Sequence, residues 1–174
     1  MKCLLAIAAL AAPTAAAAEV VGSNDNGFEL RQTVELSSPP RAAFDAFTQI
    51  ARWWDDDHTY SGKSANLSLS LRAGGCFCEA LPRGGGVEHM RIAYLAPGEQ
   101  LVMTGSLGPL LYEATSGVMA VKVERTGRGS RLTLNYKVAG FANGGAAKLA
   151  PLVDRVLAGQ LERYRRYAAR ARRS

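Results

Sequence analysis

Seven residues between Trp53 and Tyr60, the run Trp53-Trp54-Asp55-Asp56-Asp57-His58 and Tyr60 itself, form the densest group of chemistry-bearing side chains in the sequence. Three carboxylates and an imidazole could hold a cation. Consecutive aspartates without alternate spacing and a glycine do not make a calcium loop, however, so a solvated loop ending a helix is the favoured reading and no metal is expected. The two indoles carry a different possibility. Each pairs a large apolar ring with one N–H, so together they could cap the mouth of a cavity, one ring inward and the other shielding its edge. Tyr112 and Glu113, near Pro109, could line the same mouth, whereas Tyr136 reads as a core residue whose hydroxyl needs a partner.

A second group straddles a predicted hairpin. With Pro82 to Gly86 as the loop, antiparallel pairing sets Ala80 opposite Glu88, Glu79 opposite His89, Cys78 opposite Met90 and Cys76 opposite Ile92. Met90, Ile92 and Tyr94 then face inward with Cys76, Cys78 and Glu88, while His89 and Arg91 face out. A bulge at Gly74-Gly75 would reverse the cysteines and bring Phe77 and Glu79 inside. In the first register Glu88 is the candidate acid or base, because apolar neighbours disfavour its charged form. Its place one residue from a glycine turn favours a solvated rim carboxylate instead. Glu79 and His89 could be a base and its orienter, with an exterior ion pair the plainer reading.

Cys76 and Cys78 admit a disulfide, buried free thiols, or metal and redox work. Residues two apart on an extended strand lie about 6.6 Å between Cα atoms, at the limit of a disulfide, although the preceding glycines permit a kink. Met90, Met103 and Met119 on neighbouring strands would suit Cu(I) beside thiolates, but they serve equally as core filling. No Gly-x-Ser-x-Gly elbow occurs, and spacing gives His58 and His89 no nucleophile to activate. Gly84-Gly85-Gly86 leads into a strand, where a phosphate cradle would need a helix.

These groups need a frame. From Ala146 to Ala169, Leu149, Leu152, Val153, Val156, Leu157, Leu161, Tyr164 and Ala168 recur at steps of three and four, an apolar stripe on a long helix that must lie on something. Phe28 to Leu36 alternates as a half-buried strand, with Gln32 the exception on its inner face. Ser37-Ser38-Pro39-Pro40 predicts an N-cap and proline start for a helix through Phe47, and Ile50 to Trp54 a second short helix. Six strands follow, over Leu67–Leu71, Cys76–Leu81, Val87–Leu95, Gln100–Leu107, Ala114–Arg125 and Ser130–Val138. The expected fold is α+β, a curved antiparallel sheet of about seven strands around the terminal helix.

That element order resembles the START-like or SRPBCC superfamily, the helix-grip fold. Ala51-Arg52-Trp53-Trp54, Leu71-Arg72-Ala73-Gly74-Gly75, Leu132-Thr133-Leu134-Asn135-Tyr136 and the amphipathic end helix resemble the branch related to heat-shock-protein ATPase activator homologues, over about 27–169. The resemblance implies a fold whose members bind lipids, hormones and polyketides, some of them catalysing cyclisation or dehydration.

At 174 residues and 48% hydrophobic content the chain suits one domain, expected over 28–170, with a flexible lead-in at 19–27 and a basic tail at 171–174. Lys2, the apolar run Leu4 to Ala12 and Ala16-Ala17-Ala18 predict a signal peptide over 1–18, cut after Ala18, and hence an exported, periplasmic protein without a membrane anchor once processed. Loss of Lys2 lowers the formal charge from +6 to +5, and much of that excess is arginine at the helix end, suited to the helix dipole and to a solvated face rather than to nucleic acid. The expected function is binding of a small apolar or amphipathic molecule without a cofactor. Trp53, Trp54, Tyr60, Glu88, Met90, Ile92, Tyr112 and Leu157 are the expected contacts. A cyclase- or dehydratase-type enzyme using Glu88 with Tyr112 or His89, and a protein-interaction module, are the alternatives.

Overall fold

The computed structural model describes residues 17–171, so the signal peptide expected over 1–18 lies outside the described residues apart from its last two. Strands β1 (Ala17–Asn24) and β2 (Gly27–Leu36) lead into helix α1 (Pro40–Thr48) and a 3-10 turn at Ile50–Arg52. Strands β3 (Leu67–Leu69), β4 (Cys76–Ala80), β5 (Gly86–Ala96), β6 (Gln100–Gly105), β7 (Ala114–Thr126) and β8 (Gly129–Phe141) follow, and helix α2 (Ala150–Ala171) closes the fold. The eight strands form one antiparallel sheet in the order β1-β2-β8-β7-β6-β5-β4-β3. This is the expected α+β helix-grip architecture with one strand more than anticipated. Part of the segment expected to be a flexible lead-in is paired instead, with Glu19 opposite Arg31 and Val20 opposite Leu30.

β2 alternates as its sequence dictates. Phe28, Leu30, Val34 and Leu36 are buried, and so is Gln32. A buried amide needs partners, and the Gln32 Nε2 finds them on α2, donating to the Asp154 Oδ1 at 2.5 Å and to the Asp154 carbonyl at 3.1 Å. Burial pushes the Asp154 carboxyl above its ordinary range, against the pull of the Gln32 hydrogen bond. Pro40 starts α1, where a missing N–H costs nothing, but the cap residue is Pro39, which makes no side-chain cap hydrogen bond. Ser38 does not serve as the expected cap; it is buried, and its carbonyl accepts a 2.8 Å bond from the Ser130 hydroxyl. The second short helix is reduced to the single 3-10 turn at Ile50–Arg52.

The α2 stripe divides along its length. Leu157, Leu161, Tyr164 and Ala168 are buried, and the Tyr164 hydroxyl donates to the Ala43 carbonyl at 2.9 Å, fastening α2 to α1. Towards the N-terminal end Val153 and Val156 are only half-buried and Leu152 is 55% exposed. A cavity lies beneath that part of the stripe. Farther along, Met103, Met119 and Leu134 fill the space between sheet and helix until only about 10 Å³ is left, the scale of a single water molecule.

Candidate functional site

The cavity has a volume of about 430 Å³. Its roof is Leu149 and the α2 face made by Leu152, Val153, Val156 and Leu157, its floor is Phe77 on β4 and His89 on β5, and its sides are the segments 57–60 and 107–113. The size is that of a small-molecule site. Most of the wall is apolar. Titratable groups at it are Asp57, His58, Tyr60, His89, Tyr112 and Glu113.

The floor depends on the β4–β5 pairing, which differs from the expected register. Glu79 faces Val87, Cys78 faces Glu88, Phe77 faces Met90 and Cys76 faces Arg91, with an irregularity between Phe77 and Cys78. One more residue is present on β5 than on β4 there, so His89 and Met90 are both buried in succession. The five-residue loop is also displaced by one position, with Ala80 paired to Gly86. The extra residue on β5 places Phe77 and Glu79 inside with Met90 and turns Cys76, Cys78 and Glu88 to the outer face. The alternative register named the inward pair correctly but put the bulge at the wrong place.

Glu88 therefore does not reach the cavity. It is exposed and forms an ion pair with Arg91, so it is not the acid or base first considered for the enzyme alternative. Met90 and Ile92 are buried in the general core and do not line the cavity, and a second irregularity after Ile92 turns Tyr94 outward, 52% exposed. The expectation that His89 faces out is overturned too.

Glu79 and His89 form a buried pair, His89 Nε2 lying 3.0 Å from Glu79 Oε2, and not the exterior ion pair expected. Glu79 also accepts the Tyr60 N–H at 3.1 Å and the Ser61 N–H at 2.5 Å. Burial alone would push this carboxyl up. The Ser61, Tyr60 and His89 contacts outweigh it and hold Glu79 below the ordinary range, ionised. Burial depresses His89, against the raising influence of Glu79, so the imidazole is neutral. An ionised Glu79 accepts, and Nε2 therefore carries the proton. The lone pair then sits on Nδ1, which is buried and without a hydrogen-bond partner. The ring packs against Phe77 at 4.9 Å and Tyr60 at 5.8 Å between centroids.

Trp53 and Trp54 part company. Trp53 is a core residue, its Nε1 donating to the Phe47 carbonyl at 3.0 Å and its ring packed 5.3 Å from Phe47 and 5.5 Å from Tyr164; it does not border the 430 Å³ cavity. Only one of the two indoles expected at the mouth therefore borders the cavity. Trp54 lines the wall, 7% exposed, its Nε1 donating to the His58 carbonyl at 2.9 Å and its edge meeting Phe77. The aspartates serve the loop. Asp55 accepts the Asp57 N–H and pairs with Arg163, while Asp56 accepts the Ser64 N–H at 2.6 Å and is held below its usual range mainly by that bond. α2 clamps the loop as well, through the Gln160 Oε1 accepting the Asp55 N–H at 2.9 Å and Arg163 donating to the Trp53 carbonyl at 3.1 Å. The basic end of α2 thus has a positioning role that its charge pattern did not show.

The mouth is aromatic. Tyr60 donates to the Gly108 carbonyl at 2.8 Å and its ring lies 6.3 Å from that of Tyr112, which is 80% exposed. Segment 107–113 is anchored from below, where the Tyr136 hydroxyl accepts the Leu107 N–H at 3.3 Å and burial raises the phenol to about 12. Tyr136 is the core residue expected, and Gly117 makes room for it, since a Cβ there would meet its ring at 2.6 Å. Of the expected contacts, Trp54, Tyr60, Tyr112 and Leu157 border the cavity; Trp53, Glu88, Met90 and Ile92 do not. His89 and Phe77 are the floor residues the expected contacts omitted. The signal for them was Phe77 itself, the large apolar residue of its strand, whose burial fixes the parity of Glu79.

No family model matches the chain, and neither does any curated protein. Solved structures do. An uncharacterised protein from Rhizobium leguminosarum is 17% identical, with a TM-score of 0.59, over 90% of this chain and 99% of its own. The Mll3558 protein from Rhizobium loti is 20% identical, with a TM-score of 0.58, over 88% and 99%. The di-domain ARO/CYC protein StfQ of the steffimycin biosynthetic pathway is 14% identical, with a TM-score of 0.58, over 86% of this chain and 53% of that longer one. At these identities the likeness is one of fold, an antiparallel sheet with a C-terminal helix, shared by proteins of unknown role and by a cyclase.

Proposed function

We propose that this is an exported protein that binds a small apolar or amphipathic molecule in the cavity under the N-terminal half of α2. The observation that carries the reading is the 430 Å³ space whose wall is mostly apolar, lined by Leu149, Val153, Val156, Leu157, Phe77 and Trp54. Water in contact with such walls is released when an apolar guest enters, and burial contributes roughly 25 cal/mol per Å² before the costs of ordering the ligand. The polar groups at the rim, Tyr60, Tyr112 and Glu113, would set selectivity. Native mass spectrometry after incubation with naphthalene-, decanol- and decanoate-sized probes tests it. One-to-one adducts that disappear on unfolding support the proposal; no adduct with any of them contradicts it.

A second reading, a cyclase- or dehydratase-type enzyme, is favoured by one feature, the Glu79–His89 pair on the cavity floor. A neutral imidazole oriented by a carboxylate is a competent general base. In this reading the buried Nδ1 of His89 must first be uncovered; it then removes a proton next to a substrate carbonyl, and Glu79 stabilises the imidazolium formed. Likeness in fold to the ARO/CYC protein is compatible with this and says nothing of the reaction.

A further inference from the structure

Cys76 and Cys78 are joined by a disulfide on the outer face of β4, their Cα atoms 5.3 Å apart and both residues half-exposed. The bond spans two sequence positions. A disulfide stabilises a fold chiefly by closing a loop in the unfolded chain, and the effect grows with loop length. A ring this small removes little chain entropy, so stability does not account for it. Its surroundings point elsewhere. Arg91 is the cross-strand partner of Cys76 and Glu88 that of Cys78. A Glu88 carboxylate oxygen and both sulfurs lie within 4.8 Å of one another. Arg91 is held on the same face as Cys76, its guanidinium fixed by an ion pair with Glu88 and a 2.9 Å bond to the Gly74 carbonyl. Any cation approaching the sulfurs would meet that guanidinium. A thiolate on Cys76, the cross-strand partner of Arg91, would be stabilised by it, whereas Glu88 opposite Cys78 disfavours a thiolate there.

We propose that Cys76–Cys78 is an exchangeable disulfide that accepts two electrons from a dithiol, with Cys76 as the leaving thiolate. The thiolate of the dithiol attacks Cys78 Sγ; a new sulfur–sulfur bond forms, the Cys76–Cys78 bond breaks, and its electron pair goes to Cys76 Sγ beside Arg91. The second thiolate of the reagent then attacks its own sulfur in the mixed disulfide and expels the Cys78 thiolate. The reagent leaves as a cyclic disulfide, oxidised by two electrons, and its two protons end in solvent or on the protein thiols. A positive charge near the leaving sulfur lowers its pKa and speeds departure. Phe77, between the two cysteines, points to the opposite face and into the cavity, so the sulfurs lie outside the proposed ligand site.

The test is reduction of the oxidised full chain by dithiothreitol without denaturant, followed by alkylation and mass spectrometry, with circular dichroism before and after. The expected result is a gain of two alkyl groups while the fold is retained. Arg91→Gln is expected to slow the reaction about threefold or more, and Arg91→Lys to stay within about twofold of the parent. Reduction only at denaturant concentrations that unfold the chain, loss of the fold on reduction, or a folded Arg91→Gln variant reduced at the parent rate would each overturn the proposal. The native-state result on the unaltered chain stands by itself if Arg91→Gln does not fold. None of these readouts depends on ligand binding in the cavity.

Discussion

His89 Nε2 and Glu79 Oε2 lie 3.0 Å apart where neither side chain meets solvent, on adjacent strands whose pairing is irregular at that point. The pair ties the cavity floor to the loop above it, because the same carboxylate also receives the Tyr60 and Ser61 N–H groups.

Acid should therefore weaken the fold in two stages. His89 is held below 6.5 in the folded chain and Glu79 below 4.5, so at falling pH the unfolded state takes up each proton first. Both contributions are complete above the unfolded values. The His89 part begins to be lost below about pH 6.5, the Glu79 part below about pH 4.5. Thermal melts of the parent should fall from pH 7 to pH 5, and His89→Gln should flatten that limb; an equal slope in the variant would remove His89 from the account.

Glu79→Ala leaves two backbone donors and an imidazole without their acceptor. An unsatisfied buried group costs about 1–3 kcal/mol, so a loss of about 3 kcal/mol or more in denaturant unfolding is expected. Glu88→Gln should cost less than about 1 kcal/mol and leave probe binding unchanged, as for other exposed ion pairs.

The two tryptophans should separate in the same assays. Trp53→Ala opens the packing among Phe47, Tyr164 and Trp54 and should cost about 3–5 kcal/mol. Trp54→Phe should retain most of the stability and alter affinity for a cavity probe, since Trp54 borders the space.

How far the sequence reached depends on the kind of pattern read. The α2 stripe was legible because Leu157, Leu161, Tyr164 and Ala168 repeat over several turns and one misplaced residue does not disturb the rest. Strand parity is less forgiving. The extra residue at His89 moves every assignment on β4 to the opposite face, which is why Glu88 was favoured over Glu79. β1 was missed because Gly22, Ser23, Asn24 and Asn26 read as loop, although Val20 and its neighbours pair with β2. The contacts of Gln160 and Arg163 with the loop after Trp54 join residues more than a hundred positions apart, and no local pattern carries them.

The cavity claim is met most directly by titrating the neutral fluorophore N-phenyl-1-naphthylamine into the parent and into Val153→Trp, whose larger side chain would occupy the space. Saturable one-to-one binding by the parent, lost at least tenfold in a variant with an unchanged melting temperature, is the result predicted. Absence of saturable binding by the parent, or equal binding by the filled variant, would contradict the account.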